Sequence, residues 1–567
     1  MTRELNLDDI QGNVTRAYGR YSFPFARYIF FHFPHKTPEK GRHFLDQIRK
    51  KVTTAARWPD QASRPKVTTN VALTFPGLLA LQLPVRTLQA FPDEYIEGMK
   101  QRAFILGDRD QNVTEEEAEK DDWDSHWDPI WQKSRLKGTQ GFGPDDVHVM
   151  ITLNAQSAGE MQLDTPHPML EERTKWVLKT AKDCGVRHLT GVGKDGKQPY
   201  QEGSAVFKDI GGMRVPTAKE HFGFTDGIGN PVFEGQLPDN IVDDAVIGRG
   251  KIMKYDDKGD PIWEPLATGE FILGHPDESQ ELPPAAPPPE FMHNGTFFAF
   301  RKLHENVGSF DAVVNEEAER YARIMDVPME EAVETLRAKM AGRWSDGVPL
   351  SVVPTYAEWI AFGEKMGWRG DDINPLEGYK KHLAYIGTKE ARNFRYGDDM
   401  AGFKCPGGAH MRRMNTRDYL DPLNKGGVDS ASGEQPDNKG TSALNKRRRI
   451  LRRGLPYGAS SDDNTDDTEQ GVIMIIMGSS LFRQFEFVQQ QWIQYGLDFH
   501  QGNNTCPMLG NHEHHTRFTI PSDPKSGKPP YVMNKLKTFV ECRGGDYFFA
   551  PSMTALRMMS MGIVDPT

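Results

Sequence analysis

Runs of apolar and β-branched residues along the chain predict two similar sets of strands and helices. In the first half, residues 26–33 (ARYIFFHF) and 147–153 (VHVMITL) are typical of buried strands. Residues 44–52 and 170–184 have the spacing of helices, and residues 75–83 are mixed, with Gly77 expected to break the pattern. The first half therefore contains both element types in alternation.

The second half repeats this order. Residues 296–303 (TFFAFRKL) restart the strand pattern, and two helices are predicted after them. The second helix carries Met329, Val333, Leu336 and Met340 on one face, a stripe that is typical of core packing. Residues 471–477 and 546–550 are strongly predicted strands.

Strand–helix–helix–strand order in each half predicts an α+β fold, with two related domains that are each an antiparallel sheet with helices on one face. We expect an N-terminal domain over residues 1–215 and a C-terminal domain over residues 291–567. Residues 216–290 are rich in Gly and Pro, and we expect them to be an ordered connection wrapped over a site.

The composition limits which kinds of partner we expect the protein to bind and where in the cell we expect it. A net charge of −10 and a pI of about 6.0 do not suit coating of nucleic acid or of anionic membranes. The N-terminal residues lack the apolar core of a signal peptide, and four scattered cysteines do not form a disulfide pattern. We expect a cytoplasmic protein, with export without a signal peptide or encapsulation left open. Polar residues 108–128, 429–441 and 460–470 are predicted surface loops.

One carboxylate, Asp226, lies in the middle of a loop of tight turns, residues 222–231 (FGFTDGIGNP). A carboxylate held at a fixed point among aromatic residues has what a general acid or base needs. An isolated Asp in such a turn would more often cap the turn. Two segments further along the chain favour the catalytic interpretation.

The first of these segments is residues 405–418 (CPGGAHMRRMNTRD), where small residues precede His410. Small residues leave room for a large flat group, and neutral imidazole suits iron. Arg412, Arg413 and Arg417 could bind carboxylates such as haem propionates. The alternative is a surface His in a basic loop.

The second segment is residues 447–458 (RRRILRRGLPYG), a basic run that Ile450 and Leu451 interrupt. A basic run is usually a solvated face. This pattern can point one Arg inward while its neighbours remain in water.

These segments together make the chain resemble the dye-decolorising (DyP-type) haem peroxidases, in their longer fungal and bacterial form. The resemblance covers nearly the whole chain. GxxDG at residues 223–227 is unspecific by itself, and the resemblance rests on three motifs in the same order. Further matching stretches are residues 8–13 (DDIQGN), 405–418, 450–454 (ILRRG), 484–489 (QFEFVQ) and 544–552 (GGDYFFAPS).

The resemblance implies two tandem ferredoxin-like domains and one haem b per chain, bound in the C-terminal half. It implies His410 as the axial iron ligand, Asp226 as the distal acid/base, Arg452 as the distal cation and Arg417 as a propionate partner. Thr416 stands where the family often has Pro, and the stretch from His410 to Arg452 is long. Arg449 and Arg453 therefore remain alternatives to Arg452.

The function implied is oxidation of bulky aromatic donors, such as dyes and phenols, by hydrogen peroxide through an oxoferryl intermediate. An Asp with a free pKa of about 3.9 must be ionised to act as base, so we expect turnover to be best at mildly acidic pH. The alternative function is a haem-binding or haem-handling protein with little turnover. Asp498 or Glu486 is the expected acceptor for the second nitrogen of His410, and Tyr457 is a candidate surface electron relay.

Overall fold

The computed structural model describes residues 5–19, 21–108, 124–133, 143, 145–283, 285–421, 439–459, 465–512 and 516–564. Of the predicted polar loops, residues 109–123, 429–438 and 460–464 lie outside this part of the chain. The described strands are β1 Phe25–His32, β2 Val67–Leu73, β3 Val149–Ala155, β4 Ser157–Gly159, β5 Gln162–Pro166, β6 Arg187–Leu189, β7 Gln201–Ser204, β8 Phe207–Ile210, β9 Met213–Pro216, β10 Lys251–Tyr255, β11 Pro261–Glu264, β12 Thr296–Glu305, β13 Leu451–Arg453, β14 Pro456–Tyr457, β15 Gly471–Gly478, β16 Phe518–Ile520, β17 Tyr531–Met533 and β18 Val540–Ala550.

The described α-helices are α1 Gly12–Thr15, α2 Pro38–Arg49, α3 Phe75–Ala80, α4 Val85–Leu88, α5 Asp93–Glu97, α6 Ala103–Leu106, α7 Pro129–Lys133, α8 Met169–Cys184, α9 Asp239–Ala245, α10 Pro289–Met292, α11 Val307–Met325, α12 Met329–Ala341, α13 Tyr356–Met366, α14 Pro375–Gly387, α15 His410–Met414 and α16 Met553–Met561. Two π-helical segments, Leu481–Glu486 and Val488–Ile493, follow β15. Short 3-10 turns occur at Thr268–Glu270, Gly397–Asp399, Lys446–Arg448, Leu497–Phe499 and Pro524–Ser526. None of the described helices is long and apolar enough to cross a membrane.

Each half of the chain forms an antiparallel sheet with the same strand order. In the N-terminal half the order is β6-β1-β3-β2, so the first strand lies between the fourth and the third. In the C-terminal half the order is β18-β12-β15-β13, which is the same arrangement. Both halves are therefore ferredoxin-like, and the predicted α+β class is confirmed.

The two sheets join into one ten-stranded sheet through the pairing of β18 with β2, where Phe549 lies opposite Leu73. Aromatic rings from both halves meet in the core, as where Tyr28 of β1 contacts Phe300 of β12 at 5.5 Å between ring centroids. The largest hydrophobic cluster contains residues of both sheets. One face of the C-terminal sheet is thus buried against the N-terminal half.

Two predictions concern single helices: the apolar stripe on α12 is confirmed, and the break expected at Gly77 is wrong. Along α12, Leu336 and Met340 are fully buried while Met329 at its start is exposed, so the stripe packs in the core. Gly77 was expected to break its segment but lies inside α3. A side chain there would meet the backbone carbonyl of His148 at 2.1 Å, so the glycine serves close backbone approach.

Candidate active site

A cavity of about 1300 Å³ lies on one face of the C-terminal sheet. Because side chains alternate along a strand, every second residue of the sheet lines it. The strand residues in its wall are Arg301, Leu303, Glu305, Arg452, Val472, Met474, Ile476, Val540 and Cys542. The volume exceeds the usual range of small-molecule pockets and is large enough for a porphyrin.

The loop that carries Asp226 is held rigidly at the cavity wall. Gly223 and Gly227 have φ of 88° and 84°, a left-handed conformation that favours glycine, which explains the spacing of the GxxDG motif. The Asp226 backbone N–H donates to the carbonyl of Ala218 at 2.8 Å, and its Oδ1 accepts from the Gly227 N–H at 2.7 Å. Its Oδ2 remains for a further partner.

That partner is Arg452 of β13, whose Nη2 forms an ion pair with Asp226 Oδ2. The Arg452 backbone N–H donates to the amide oxygen of Asn230 at 2.8 Å, which ties β13 to the Asp226 loop. Both side chains are partly exposed to the cavity. The structure thus places Asp226 and Arg452 together, as the resemblance implies.

The two alternative arginines have other partners. Arg453 points to the opposite side of β13 and donates to the carbonyls of Asn13 and Val14 at 2.6 and 2.7 Å. Arg449 lines the cavity but donates to the carbonyl of Gly250 at 3.1 Å. The geometry therefore favours Arg452 as the distal cation.

His410 is the first residue of α15 and lines the same cavity as Asp226 and Arg452. Its Nδ1 lies 3.3 Å from the Sγ of Cys506. The expected carboxylate acceptors are occupied elsewhere, because Asp498 accepts from the Trp492 indole and Glu486 binds Arg102 and Tyr547. The expectation of a carboxylate partner was wrong for the described residues, and a thiol takes its place.

The small residues before His410 were expected to leave room for a large flat group, but they serve a different purpose. Neither Gly407 nor Gly408 lines the cavity. A Cβ on Gly407 would meet the side chain of Gln501 at 3.0 Å, and one on Gly408 would meet the ring of Phe518 at 3.3 Å. The glycines therefore let neighbouring protein approach the loop, and it is the loop that places His410.

Arg417 does not reach the cavity. Its side chain is buried and donates to the backbone carbonyls of Arg392, Phe394 and Gly248. Arg412 and Arg413 likewise bind mainly backbone carbonyls. The three arginines of this segment therefore stabilise the loops around His410, and the propionate role expected of Arg417 is not supported.

Two other arginines, neither of them predicted as a propionate partner, have the properties expected of Arg417. Arg343 and Arg449 are buried and line the cavity. Nε and Nη2 of Arg343 and Nη2 of Arg449 have no hydrogen-bond partner among the described residues. Burial lowers the pKa of Arg343, and burial together with Arg249 lowers that of Arg449 to about 10. Anionic groups in the cavity would accept hydrogen bonds from these unpaired donors and would stabilise the charged form of both arginines.

Two buried carboxyl groups, Glu220 and Glu305, also line the cavity wall beside the Asp226 loop. Glu220 accepts from the backbone N–H groups of Phe222 and Phe224 at 2.8 and 2.7 Å, so it shapes the loop. Burial and the proximity of Glu220 raise the pKa of Glu305 well above its ordinary value. Burial therefore disfavours the doubly ionised form of this pair next to Asp226.

Tyr457 is not a surface aromatic residue. It lies in β14 with only 2% of its surface exposed, and Lys302 Nζ lies 4.8 Å from its ring centroid. Burial raises the pKa of its hydroxyl well above the ordinary value. The structure does not support the expected position of Tyr457 at the protein surface.

Comparison with known proteins identifies relatives of one kind, although no family model matches the chain. Peroxidase 2 of Mycetinis scorodonius is 23% identical over 576 residues, which cover 98% of this chain and 87% of that protein. Dye-decolorizing peroxidase msp1 of the same fungus is 25% identical, over 60% of this chain and 56% of its own length. Multifunctional dye peroxidase DyP2 of an Amycolatopsis species is 28% identical, over 60% of this chain and 61% of its own.

Solved structures agree over the full length. The fungal DyP-type peroxidase of Auricularia auricula-judae superposes with a TM-score of 0.65 at 20% identity, covering 98% of this chain and 100% of that one. An ancestral D-type dye-decolorizing peroxidase gives a TM-score of 0.64 at 21% identity, with 98% and 99% covered. The fold is that of the dye-decolorising peroxidases, which are haem enzymes, and the resemblance found in the motifs is confirmed.

Proposed function

We propose that this protein is a haem peroxidase that uses hydrogen peroxide to oxidise aromatic donors such as dyes and phenols. The observation that carries the proposal is the ion pair of Asp226 and Arg452 at the wall of a cavity that His410 also lines. An acid/base, a cation and a metal-ligating imidazole around one large cavity are what peroxide cleavage on haem requires.

The side chains around the cavity fit a haem. His410 would hold the iron, and the uncompensated donors of Arg343 and Arg449 would bind the two propionates. Apolar side chains such as Met411, Ile476 and Leu509 would contact the ring. We infer haem b, one per chain, which when bound supplies the iron that binds peroxide and accepts its oxidising equivalents.

Asp226 would act as the proton carrier. As a carboxylate it takes the proton from one peroxide oxygen and gives it to the other, which then leaves as water, so no proton is gained or lost. The rigid loop around Asp226 keeps the carboxylate at a fixed position for both transfers. Arg452, held by Asn230 and by Asp226 itself, would stabilise the negative charge that develops as the O–O bond breaks.

The donor class rests on the relatives. One structural neighbour, at 20% identity and a TM-score of 0.63, is a dye-decolorizing peroxidase in complex with 2,6-dimethoxyphenol. We infer that this chain oxidises phenols of the same kind, each donor giving up one electron. A protein that only carries haem would need His410 and would have no use for the Asp226–Arg452 pair.

The experiment is to purify the protein with haem and to follow oxidation of 2,6-dimethoxyphenol by hydrogen peroxide. We expect a strong haem absorption band near the ultraviolet, which His410→Ala loses, and peroxide-dependent oxidation of the phenol by the wild type. A haem-loaded wild type that does not oxidise the phenol, or any other aromatic donor tried, would leave only a haem-handling role. A colourless protein after loading with haem would contradict both functions.

A further inference from the structure

The nitrogen of His410 that faces away from the cavity is held by sulfur. Cys506 Sγ lies 3.3 Å from His410 Nδ1, within hydrogen-bonding distance for sulfur, and Cys506 is completely buried. This contact is the one side-chain hydrogen bond of His410 within the described part of the chain. It leaves Nε2 of the ring as the nitrogen that can bind a metal.

The position of the sulfur is fixed by the backbone around it. The Cys506 N–H donates to the carbonyl of Ile493 at 2.7 Å, and the Cys506 carbonyl accepts from the Gly510 N–H at 2.9 Å. The same carbonyl accepts from Nε2 of His512 at 3.1 Å. Cys506 is therefore tied at three points to segments next to the cavity, and its thiol has little freedom to turn away.

No carboxylate in the described part of the chain takes this place. Asp498 and Glu486 are engaged with Trp492 and Arg102, respectively. The nearby charge is positive: Arg413 donates to the carbonyls of Trp492 and Asn504 on either side of the Cys506 segment. Cys506 thus lies near both the imidazole of His410 and the buried guanidinium of Arg413.

We propose that Cys506 is a positioning residue that accepts the Nδ1–H of His410, fixes the orientation of the ring and sets how strongly His410 donates to haem iron. The inference rests on the proposed function, because it concerns the same haem site. Sulfur is a weaker hydrogen-bond acceptor than a carboxylate oxygen, so the imidazole gains less anionic character. A less basic axial ligand favours the ferrous form of the iron.

The test compares haem-loaded wild type with Cys506→Ala and Cys506→Asp. Two properties are measured: the ferric/ferrous reduction potential, and the iron–histidine stretching frequency of the ferrous protein. In Cys506→Ala we expect a higher potential, a lower stretching frequency and a haem affinity reduced by about 10- to 100-fold, because the acceptor is gone. In Cys506→Asp we expect both spectroscopic quantities to move in the opposite direction.

The matched control is Cys184→Ala, which removes a buried thiol of α8 in the N-terminal half and should leave both quantities unchanged. If Cys506→Ala binds too little haem to measure, Cys506→Ser keeps an acceptor and should restore binding, with values between those of the wild type and the aspartate variant. Wild-type values in both Cys506→Ala and Cys506→Asp would overturn the inference while leaving the peroxidase proposal intact. A wild-type protein that binds no haem would instead overturn the peroxidase proposal.

Discussion

The guanidinium of Arg452 binds the carboxylate of Asp226 although the two residues lie 226 positions apart in the sequence. The pair forms because β13 and the GxxDG loop meet at one edge of the cavity, where Asn230 accepts a hydrogen bond from the backbone of Arg452. An ion pair open to a cavity is a costly arrangement for stability alone, since the same charges would be better solvated at the surface. Its position favours a role in chemistry.

Replacement of Arg452 should slow peroxide cleavage with little effect on haem binding. We expect Arg452→Leu to lower kcat/KM for hydrogen peroxide by about 10²- to 10³-fold, because a preorganised positive charge is lost where negative charge develops. The measurement is steady-state oxidation of 2,6-dimethoxyphenol at varied peroxide, normalised to bound haem. Arg447→Lys is the control, because Arg447 belongs to the same basic run but does not line the cavity and pairs with Asp277 at 2.7 Å, so it should keep the wild-type value. Equal losses of kcat/KM in both variants would contradict the role of Arg452 in stabilising the developing negative charge.

Arg343 and Arg449 should determine how tightly haem binds. Replacing either with Gln removes a buried donor that has no hydrogen-bond partner within the described ranges, and we expect haem affinity to fall by about 10- to 100-fold, the equivalent of one charged hydrogen bond. Haem transfer to an acceptor protein measures the affinity. Arg417→Lys should lower the free energy of unfolding and leave haem affinity unchanged, because Arg417 donates to backbone carbonyls and lies over the ring of Phe394, away from the cavity. The opposite result would restore Arg417 as a propionate partner.

Tyr457→Phe should not impair oxidation of bulky dyes. The residue is buried, and its hydroxyl has no hydrogen-bond partner among the described residues, so removing the hydroxyl should raise the free energy of unfolding by about 1 kcal/mol. Tyr95→Phe is the matched control, because the Tyr95 hydroxyl donates to the carbonyl of Leu73 at 2.9 Å, and its loss should destabilise the protein by a similar amount. A selective loss of dye oxidation in Tyr457→Phe would show that the residue does carry electrons.

His512 should make the protein sensitive to acid. Burial lowers the pKa of His512 to about 4, while its Nε2 donates to the Cys506 carbonyl and its Nδ1 accepts from Thr505. The unfolded chain, with a His pKa of about 6.5, binds a proton first, so stability should fall as pH drops from about 6.5 to 4, by about 3 kcal/mol for this group.

Denaturant unfolding of the haem-loaded protein at pH 7 and pH 4 measures this effect. His512→Gln should lose less stability than the wild type over that range, and the exposed His43→Gln should behave as the wild type. If His512→Gln loses as much stability between pH 7 and pH 4 as the wild type does, the His512 imidazole is not the buried neutral group that makes the protein sensitive to acid.

The sequence was sufficient for several central strands and helices, and it pointed to three residues that line one cavity in the structure. Strands β1, β12 and β15 follow from continuous apolar runs, and α8 follows from its helical spacing. Asp226, His410 and Arg452 lie within short motifs whose glycines and turns are local features of the chain. The structure places these three around one cavity, as the resemblance implies.

Features that depend on distant partners could not be predicted. The acceptor for His410 comes from a loop 96 residues away, and a thiol there has no local signature that distinguishes it from any other buried cysteine. Arg343 and Arg417 are alike in sequence terms, yet Arg417 is enclosed by backbone carbonyls while Arg343 reaches the cavity. Only the packing decides which guanidinium has donors left for a ligand.

The most direct test of the account is rapid mixing of the haem-loaded protein with one equivalent of hydrogen peroxide, comparing the wild type with Asp226→Asn. We expect a fast change of the haem spectrum in the wild type. The same change should be slowed by about 10²- to 10⁴-fold in Asp226→Asn, which keeps its haem but cannot move the proton. Equal rates in the two proteins, at the same haem content, would contradict the claim that Asp226 is the proton carrier of a peroxidase.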